Sequence, residues 1–179
     1  MKIYLIIKSV ILIALAVLIG VFSHHLLEHY LQYLVGGVMI LFGIEGIFLP
    51  FALKGRGVFK EYQFYLGHVD LLLGLLVLIQ ISDISQICIV WGTWTIVRES
   101  FELYENAHKM MHGFPAVLSL ALSIIEIVFS ILLILFASEP HHHALTHIYL
   151  LVPELILYGL SPLMFEIYLS YIKKKKKAE

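Results

Sequence analysis

The chain has 179 residues, of which 60% are hydrophobic and 14% are charged, and its mean hydropathy is +0.92. This composition excludes an ordinary soluble domain, because a water-exposed fold of this size could not hide so much apolar surface. The formal net charge is −1, and we expect no nucleic-acid partner. The single cysteine, Cys88, excludes an intramolecular disulfide.

Six apolar stretches follow one another along the chain, at residues 3–22, 30–53, 62–81, 84–103, 116–137 and 148–172. Each is about as long as the roughly 20 residues that a membrane-spanning helix needs. Lys8 interrupts the first stretch, and Val21-Phe22-Ser23 is a poor cleavage site, so we interpret this stretch as a retained anchor. The pattern predicts an all-α polytopic membrane protein, a single integral domain whose partner is the lipid bilayer.

The basic residues lie at one side of these stretches. Ten of the twelve Lys and Arg occupy the start, the second and fourth connections and the tail, and the other three connections have none. The ten are Lys2, Lys54, Arg56, Lys60, Lys109 and Lys173 to Lys177. By the positive-inside rule, both termini are predicted to be cytoplasmic, and we expect the protein in the cytoplasmic membrane of a prokaryote.

The even-numbered stretches resemble one another. When they are aligned by eye, Val35, Val90 and Val152 coincide, with a period of about 55 to 62 residues. The pattern predicts three helical hairpins of similar sequence at about 1–55, 60–112 and 114–172, followed by a basic tail at 173–179. All three would have the same orientation, which makes them parallel repeats.

Two features of individual helices can also be predicted. Gly36, Gly43 and Gly46 are spaced to share one face of the second helix, where a neighbouring backbone could approach closely. This face is predicted to pack within the bundle, and it could equally serve a homo-oligomer. The fourth helix is predicted to continue beyond the membrane as a polar extension from Arg98 to Lys109.

The arrangement resembles the HdeD-like family of small bacterial membrane proteins, which is associated with acid stress. The residues that carry the resemblance are Leu34-Val-Gly-Gly-Val-Met-Ile-Leu-Phe-Gly-Ile-Glu-Gly46 and Val90-Trp-Gly-Thr-Trp-Thr-Ile-Val-Arg-Glu-Ser100. The fifth helix departs from the glycine-rich pattern of the family and has Ser and Glu126 instead. The resemblance implies a six-helix fold and a role in acid resistance, and it supplies no catalytic residue.

Several polar side chains fall inside the predicted spans, where charge is costly and needs a partner or a purpose. They are Lys8, Glu45, His68, Asp70, Arg98, Glu99, Glu126 and Glu154. Similar depths predict two structural ion pairs, Lys8–Glu45 and Arg98–Asp70. Two cations cannot neutralise five acids, so three carboxyl groups are left over. They are either protonated and hydrogen-bonded or stations on a proton or cation path, and Glu126 lies closest to the midplane.

Histidines concentrate in the first and fifth connections, which face outwards in the predicted topology. Two His-x-x-x-His pairs occur there, His25 with His29 and His143 with His147. This spacing puts two imidazoles on one helical face, so four of them could bind Zn²⁺, Cu²⁺ or Ni²⁺. The alternatives are a surface that titrates near pH 6.5, at about the ordinary pKa of histidine, and a polar connector.

No phosphate-binding loop, nucleophile elbow or paired cysteine motif is present, and the chain is predicted not to be an enzyme. The leading interpretation is a non-enzymatic membrane protein that protects or responds under acid stress, as the HdeD-like resemblance implies. The alternative is a small proton-coupled or metal-cation transporter or channel that uses the intramembrane acids and the outer histidines.

Overall fold

The computed structural model describes residues 2–22, 27–54, 62–108, 114–138 and 150–160, with positions 163, 164, 167 and 171. These residues form helices and no strand. The helices are α1 (Lys2–Phe22), α2 (Leu27–Lys54), α3 (Tyr62–Gln80), α4 (Ile84–His108), α5 (Phe114–Ser138) and α6 (Leu150–Leu160). The all-α prediction is confirmed, and the bounds of α1 to α5 lie close to the predicted stretches.

Three of the helices are long and apolar enough to cross a membrane, over Tyr30–Phe48, Tyr62–Gln80 and Leu120–Ala137. The described apolar parts of α1 and α6 are shorter, at Ile6–Val21 and Leu150–Leu160. The fourth helix is more polar than these, because it carries Arg98 and Glu99 as well as several Thr and Ser. It runs without a break to His108, as the predicted polar extension requires.

The side chains are distributed in the opposite way to those of a water-soluble protein. Large apolar groups cover the outside, among them Ile79 at 74% and Val21 at 70% exposure, whereas Asp70 and Glu154 are completely buried. Such a continuous apolar exterior would be unstable in water and is what a lipid environment requires. The core between the helices contains apolar residues of α1, α2 and α4 to α6, together with Val77 of α3.

A glycine seam joins α2 to α3. It consists of Gly36, Gly43 and Gly46 on α2 and Gly67 and Gly74 on α3. A Cβ atom on Gly43 would lie 2.6 Å from the backbone nitrogen of Leu71, so no larger residue fits without movement of the backbone. The predicted packing role of the α2 glycine face is therefore confirmed. Close backbone contact is how helices associate where lipid removes the hydrophobic driving force.

The α4 helix begins at a cap and is tied to the end of α5. The Asp83 carboxylate accepts a hydrogen bond from the Gln86 backbone N–H at 3.1 Å, which satisfies one free donor of the first turn. The Ser85 hydroxyl donates to the backbone carbonyl of Ala137. Among α1 to α5, the most extensive packing is between α2 and α3 and between α4 and α5, and the helices of each of these two pairs belong to different predicted hairpins. The sequence repeat stays a prediction.

Candidate functional site: a buried carboxyl cluster

Among the residues that the structure describes, two ion pairs lie inside the bundle, and both were predicted. The ammonium of Lys8 on α1 lies 3.3 Å from a carboxylate oxygen of Glu45 on α2. The guanidinium of Arg98 on α4 donates to one carboxylate oxygen of Asp70 on α3, and the Trp94 indole N–H donates to the other at 2.6 Å. Asp70 is thus completely buried with a cation and a neutral donor, which together compensate its charge.

The ring of Phe42 lies between the two pairs. The Lys8 ammonium is 3.9 Å and the Arg98 guanidinium carbon 5.0 Å from its centroid, within the range of cation–π attraction. The rings of Trp94 and Tyr158 meet it edge-on, with centroids 5.4 and 5.6 Å away. One aromatic side chain of α2 therefore connects the charged groups of α1 and α4 with α6.

Three further carboxyl groups are buried together between α4, α5 and α6. This acid cluster consists of Glu99, Glu126 and Glu154, whose exposed fractions are 3%, 2% and 0%. Among the described residues, no Lys or Arg forms an ion pair with any of them. The carboxyl groups of Glu99 and Glu126 lie within hydrogen-bonding reach of each other. Glu126 therefore faces a polar group of another helix, and not lipid.

The contact between Glu99 and Glu126 requires a proton, because two ionised carboxylates have no hydrogen to share. Hydrogen atoms can also be counted at Ser130, one turn after Glu126. Its hydroxyl oxygen is 2.9 Å from the backbone carbonyl of Glu126 and 2.5 Å from a carboxyl oxygen of Glu154. The hydroxyl has one hydrogen, so either this hydrogen is shared between the two acceptors or Glu154 is protonated and donates to Ser130. The contact of Glu99 with Glu126 thus fits at least one neutral carboxyl group in the acid cluster.

Polar atoms without a hydrogen-bond partner gather beside the acid cluster. In the described part of the chain, they include the Trp91 indole nitrogen, the Thr95 hydroxyl and one carboxyl oxygen each of Glu126 and Glu154. The Trp91 indole and the Thr95 hydroxyl, on successive turns of α4, are nevertheless both within reach of the Glu154 carboxyl group. Buried polar atoms normally have partners, and Glu154 is the acceptor within reach of both donors.

Within the described part of the chain, two cavities adjoin the ion pairs. One, of about 230 Å³, lies between α1 and α2 beside Lys8 and Glu45, and the other, of about 190 Å³, lies between α3 and α4 beside Asp70 and Arg98. Their walls are otherwise mostly apolar, and no member of the acid cluster lines either of them. These cavities do not connect Asp70 with the acid cluster.

The remaining predicted residues do not join these groups. His68 is exposed on α3, with its Nδ1 atom 2.8 Å from the Phe64 carbonyl, so it lies outside the interior. Within the described residues, no group of three His, Cys, Asp or Glu side chains has the geometry to hold a metal ion. The side chains predicted for an outer metal site, those of His25, His29, His143 and His147, lie outside the described part.

Four polar partners were missed by the sequence analysis: Trp94, Thr95, Ser130 and Tyr158. A signal was available, because each lies four residues from another member of the network, as in Glu126 with Ser130 and Glu154 with Tyr158. Residues at this spacing share a helix face. Hydroxyl and indole groups are common in apolar helices, however, and only the packing distinguishes a partner from an ordinary core residue.

Comparison with known protein families, with characterised proteins and with solved structures gives no match for this chain.

Proposed function

We propose that this chain is a non-enzymatic integral membrane protein of the prokaryotic cytoplasmic membrane, with six spanning helices and both termini inside. Its proposed role is to bind and release protons at the acid cluster under acid stress. The apolar exterior and the one-sided Lys and Arg support the topology. The role in acid stress is the one that the HdeD-like resemblance implies, and the acid cluster gives it a physical basis.

The observation that carries the proposal is the contact of Glu99 with Glu126, buried with Glu154 and lacking a cation among the described residues. In a low-dielectric interior, like charges this close cannot all be ionised, so the acid cluster holds protons and their number depends on pH. Asp70 cannot take this role as readily, because Arg98 compensates its charge. A structural core would need no third acid here.

A second candidate is a proton-coupled carrier or channel. The observation that favours it is the set of unpartnered polar atoms of Trp91, Thr95 and Glu154 beside the acid cluster, since a transport path needs groups that exchange partners. Metal transport has no support within the described residues, which offer no metal-binding group.

The topology is tested with reporter fusions. Reporters after Lys54 and Lys109 should be cytoplasmic, and those near His25, Asp83 and His142 should be external, because the connections differ in Lys and Arg content. An external reporter after Lys109 would contradict the six-span arrangement.

Proton binding is tested by infrared spectroscopy of the purified protein during a pH titration. Protonated carboxyl groups absorb at a higher frequency than carboxylates, and the wild type should show such a band at neutral pH. Glu126→Gln and Glu154→Gln should each reduce it, whereas Asp83→Asn, which removes an exposed carboxylate, should leave it unchanged. A neutral-pH spectrum without a protonated carboxyl band would contradict the proposal.

The two candidate functions differ in whether the protein carries protons across the membrane. In liposomes with an imposed pH gradient, a carrier or channel should acidify the lumen in the wild type and not in Glu126→Gln. An acid-stress protein without transport should show the titrating band but no flux. Loss of survival at low pH in cells that carry Glu126→Gln, with normal amounts of protein in the membrane, would support the role in acid stress.

A further inference from the structure

The surroundings of the acid cluster differ along the bundle axis. Towards the end of α4 and the start of α5, the neighbours are polar: Glu102 lies one turn beyond Glu99, and Ser123 lies one turn before Glu126. In the opposite direction, beyond Trp91, Thr95 and Ser130, the buried side chains of the same helices are apolar, apart from the thiol of Cys88. We name the group of Ile87, Cys88, Leu133 and Leu151 the apolar plug.

The apolar plug is completely buried. All four of its side chains have an exposed fraction of 0%, and Trp91 beside them is equally buried. Leu133 follows Glu126 by seven residues on α5, which is about 10 Å along the helix axis. The hydrogen bond from Ser85 to the Ala137 carbonyl holds α4 and α5 together beyond it.

The two directions present different barriers to a proton. An apolar layer offers no hydrogen-bonding group, so moving a charge or a water molecule into it is unfavourable. In the polar direction, Glu102 and Ser123 can exchange hydrogen bonds with entering water. Glu102 is half-buried, so the polar side also reaches the surface sooner.

We infer that, in this conformation, the acid cluster exchanges protons with the cytoplasmic side of the membrane, and that the apolar plug closes it to the outside. The inference rests on the proposed function and topology. The groups that face Glu126 are Glu99 and Glu102 on α4 and Glu154 and Tyr158 on α6. The cations Lys8 and Arg98 are paired with Glu45 and Asp70, and both also lie within electrostatic range of Glu102.

Thiol labelling tests the inference without relying on proton transport. Three single-cysteine proteins are compared: the wild type with Cys88, and Ser123→Cys and Leu133→Cys in a Cys88→Ala background. A charged, membrane-impermeant methanethiosulfonate is applied to right-side-out and to inside-out vesicles. We expect the thiol at position 123 to react at least tenfold faster from the cytoplasmic side than those at 88 and 133 do from either side.

Two exposed positions serve as controls for sidedness. In the Cys88→Ala background, Ser82→Cys, just before α4, should react only from outside, and Tyr104→Cys, near the end of α4, only from inside. Labelling after denaturation confirms that every thiol is reactive. Reversed controls would contradict the topology, and hence the proposed function, whereas correct controls leave the inference to be judged on its own.

With correct controls, faster reaction of the thiols at 88 or 133 from outside would overturn the inference. The inference would also be overturned if the thiol at position 123 reacted from the cytoplasmic side no faster than the thiols at 88 and 133, or did not react at all. The labelling could show the expected sidedness while the infrared titration shows no protonated carboxyl band. That result would support the access route and contradict only the proposed proton binding.

Discussion

The interior of this protein contains two kinds of buried acid. Asp70 lies beside Arg98 and accepts a further hydrogen bond from Trp94 at 2.6 Å, whereas Glu126 lies beside Glu99 and has one carboxyl oxygen without a partner. Both are almost fully buried. The negative charge of Asp70 is balanced by Arg98, whereas that of Glu126 can be removed only by protonation.

The helices around the two sites are built accordingly. The α2 and α3 helices, next to Asp70, meet along the glycine seam, where backbones touch and no water fits. The α4, α5 and α6 helices meet through the polar side chains of Glu126, Ser130 and Glu154. A fixed ion pair beside a rigid seam is suited to a structural role. An acid cluster without a cation, between helices joined by hydrogen bonds, is suited to a response to pH.

The largest expected effect is that of Asp70→Asn. The substitution keeps the shape but leaves Arg98 buried without a counter-ion, and breaking a buried pair in this way costs about 3 to 5 kcal/mol of unfolding free energy. Unfolding in detergent with increasing SDS measures it. Arg98→Gln added to Asp70→Asn should restore part of the loss. A double variant as unstable as the sum of the single variants would contradict a direct pair.

The glycine seam should be the next most sensitive feature. In Gly43→Ala the new methyl group would lie 2.6 Å from the Leu71 backbone nitrogen, which forces α2 and α3 apart, and we expect a loss of about 1 to 3 kcal/mol. Gly37→Ala is the matched control, since its Cβ would have no atom within 4 Å. The same unfolding assay should show Gly37→Ala to be neutral or slightly stabilising. Equal losses would show that α2 is sensitive to any added methyl group.

Ser130→Ala should have a smaller effect, about 1 kcal/mol, because it removes one buried hydroxyl and leaves a carboxyl oxygen of Glu154 unpaired. Thr93→Val is its control: Thr93 makes the same bond to the carbonyl four residues earlier, at 2.8 Å, but is exposed. In the infrared titration, Ser130→Ala should also shift the carboxyl band of Glu154, and Thr93→Val should not. Identical spectra would contradict the hydrogen bond between Glu154 and Ser130.

The smallest effect on stability should be that of Glu126→Gln, less than the roughly 1 kcal/mol of one lost hydrogen bond, because the amide keeps the shape and hydrogen-bonding capacity of a neutral acid. The variant should nevertheless bind fewer protons on acidification. Comparing it with Asp70→Asn tests the difference between the two kinds of acid most directly. A loss of several kcal/mol at neutral pH in Glu126→Gln would show that Glu126 is ionised and compensated.

Several features of the fold could be predicted from the sequence, because they depend on local chemistry. Runs of apolar residues form helices wherever backbone groups must satisfy one another, so the bounds of α1 to α5 follow from the sequence. The pairs of Lys8 with Glu45 and of Arg98 with Asp70 could be predicted from depth, since a buried cation needs an acid at the same level. The seam face of α2 followed from the spacing of its glycines.

What the sequence could not determine depends on how the helices are rotated and which of them are neighbours. It showed that three acids lack a cation, but only the packing of α4, α5 and α6 brought Glu99, Glu126 and Glu154 together and placed Ser130 between two of them. It likewise gave no reason to place His68 outside the interior. Apolar faces of similar composition can pack against one another in many ways. Hydropathy therefore determines that a helix is buried, whereas side-chain packing determines which helices lie next to it.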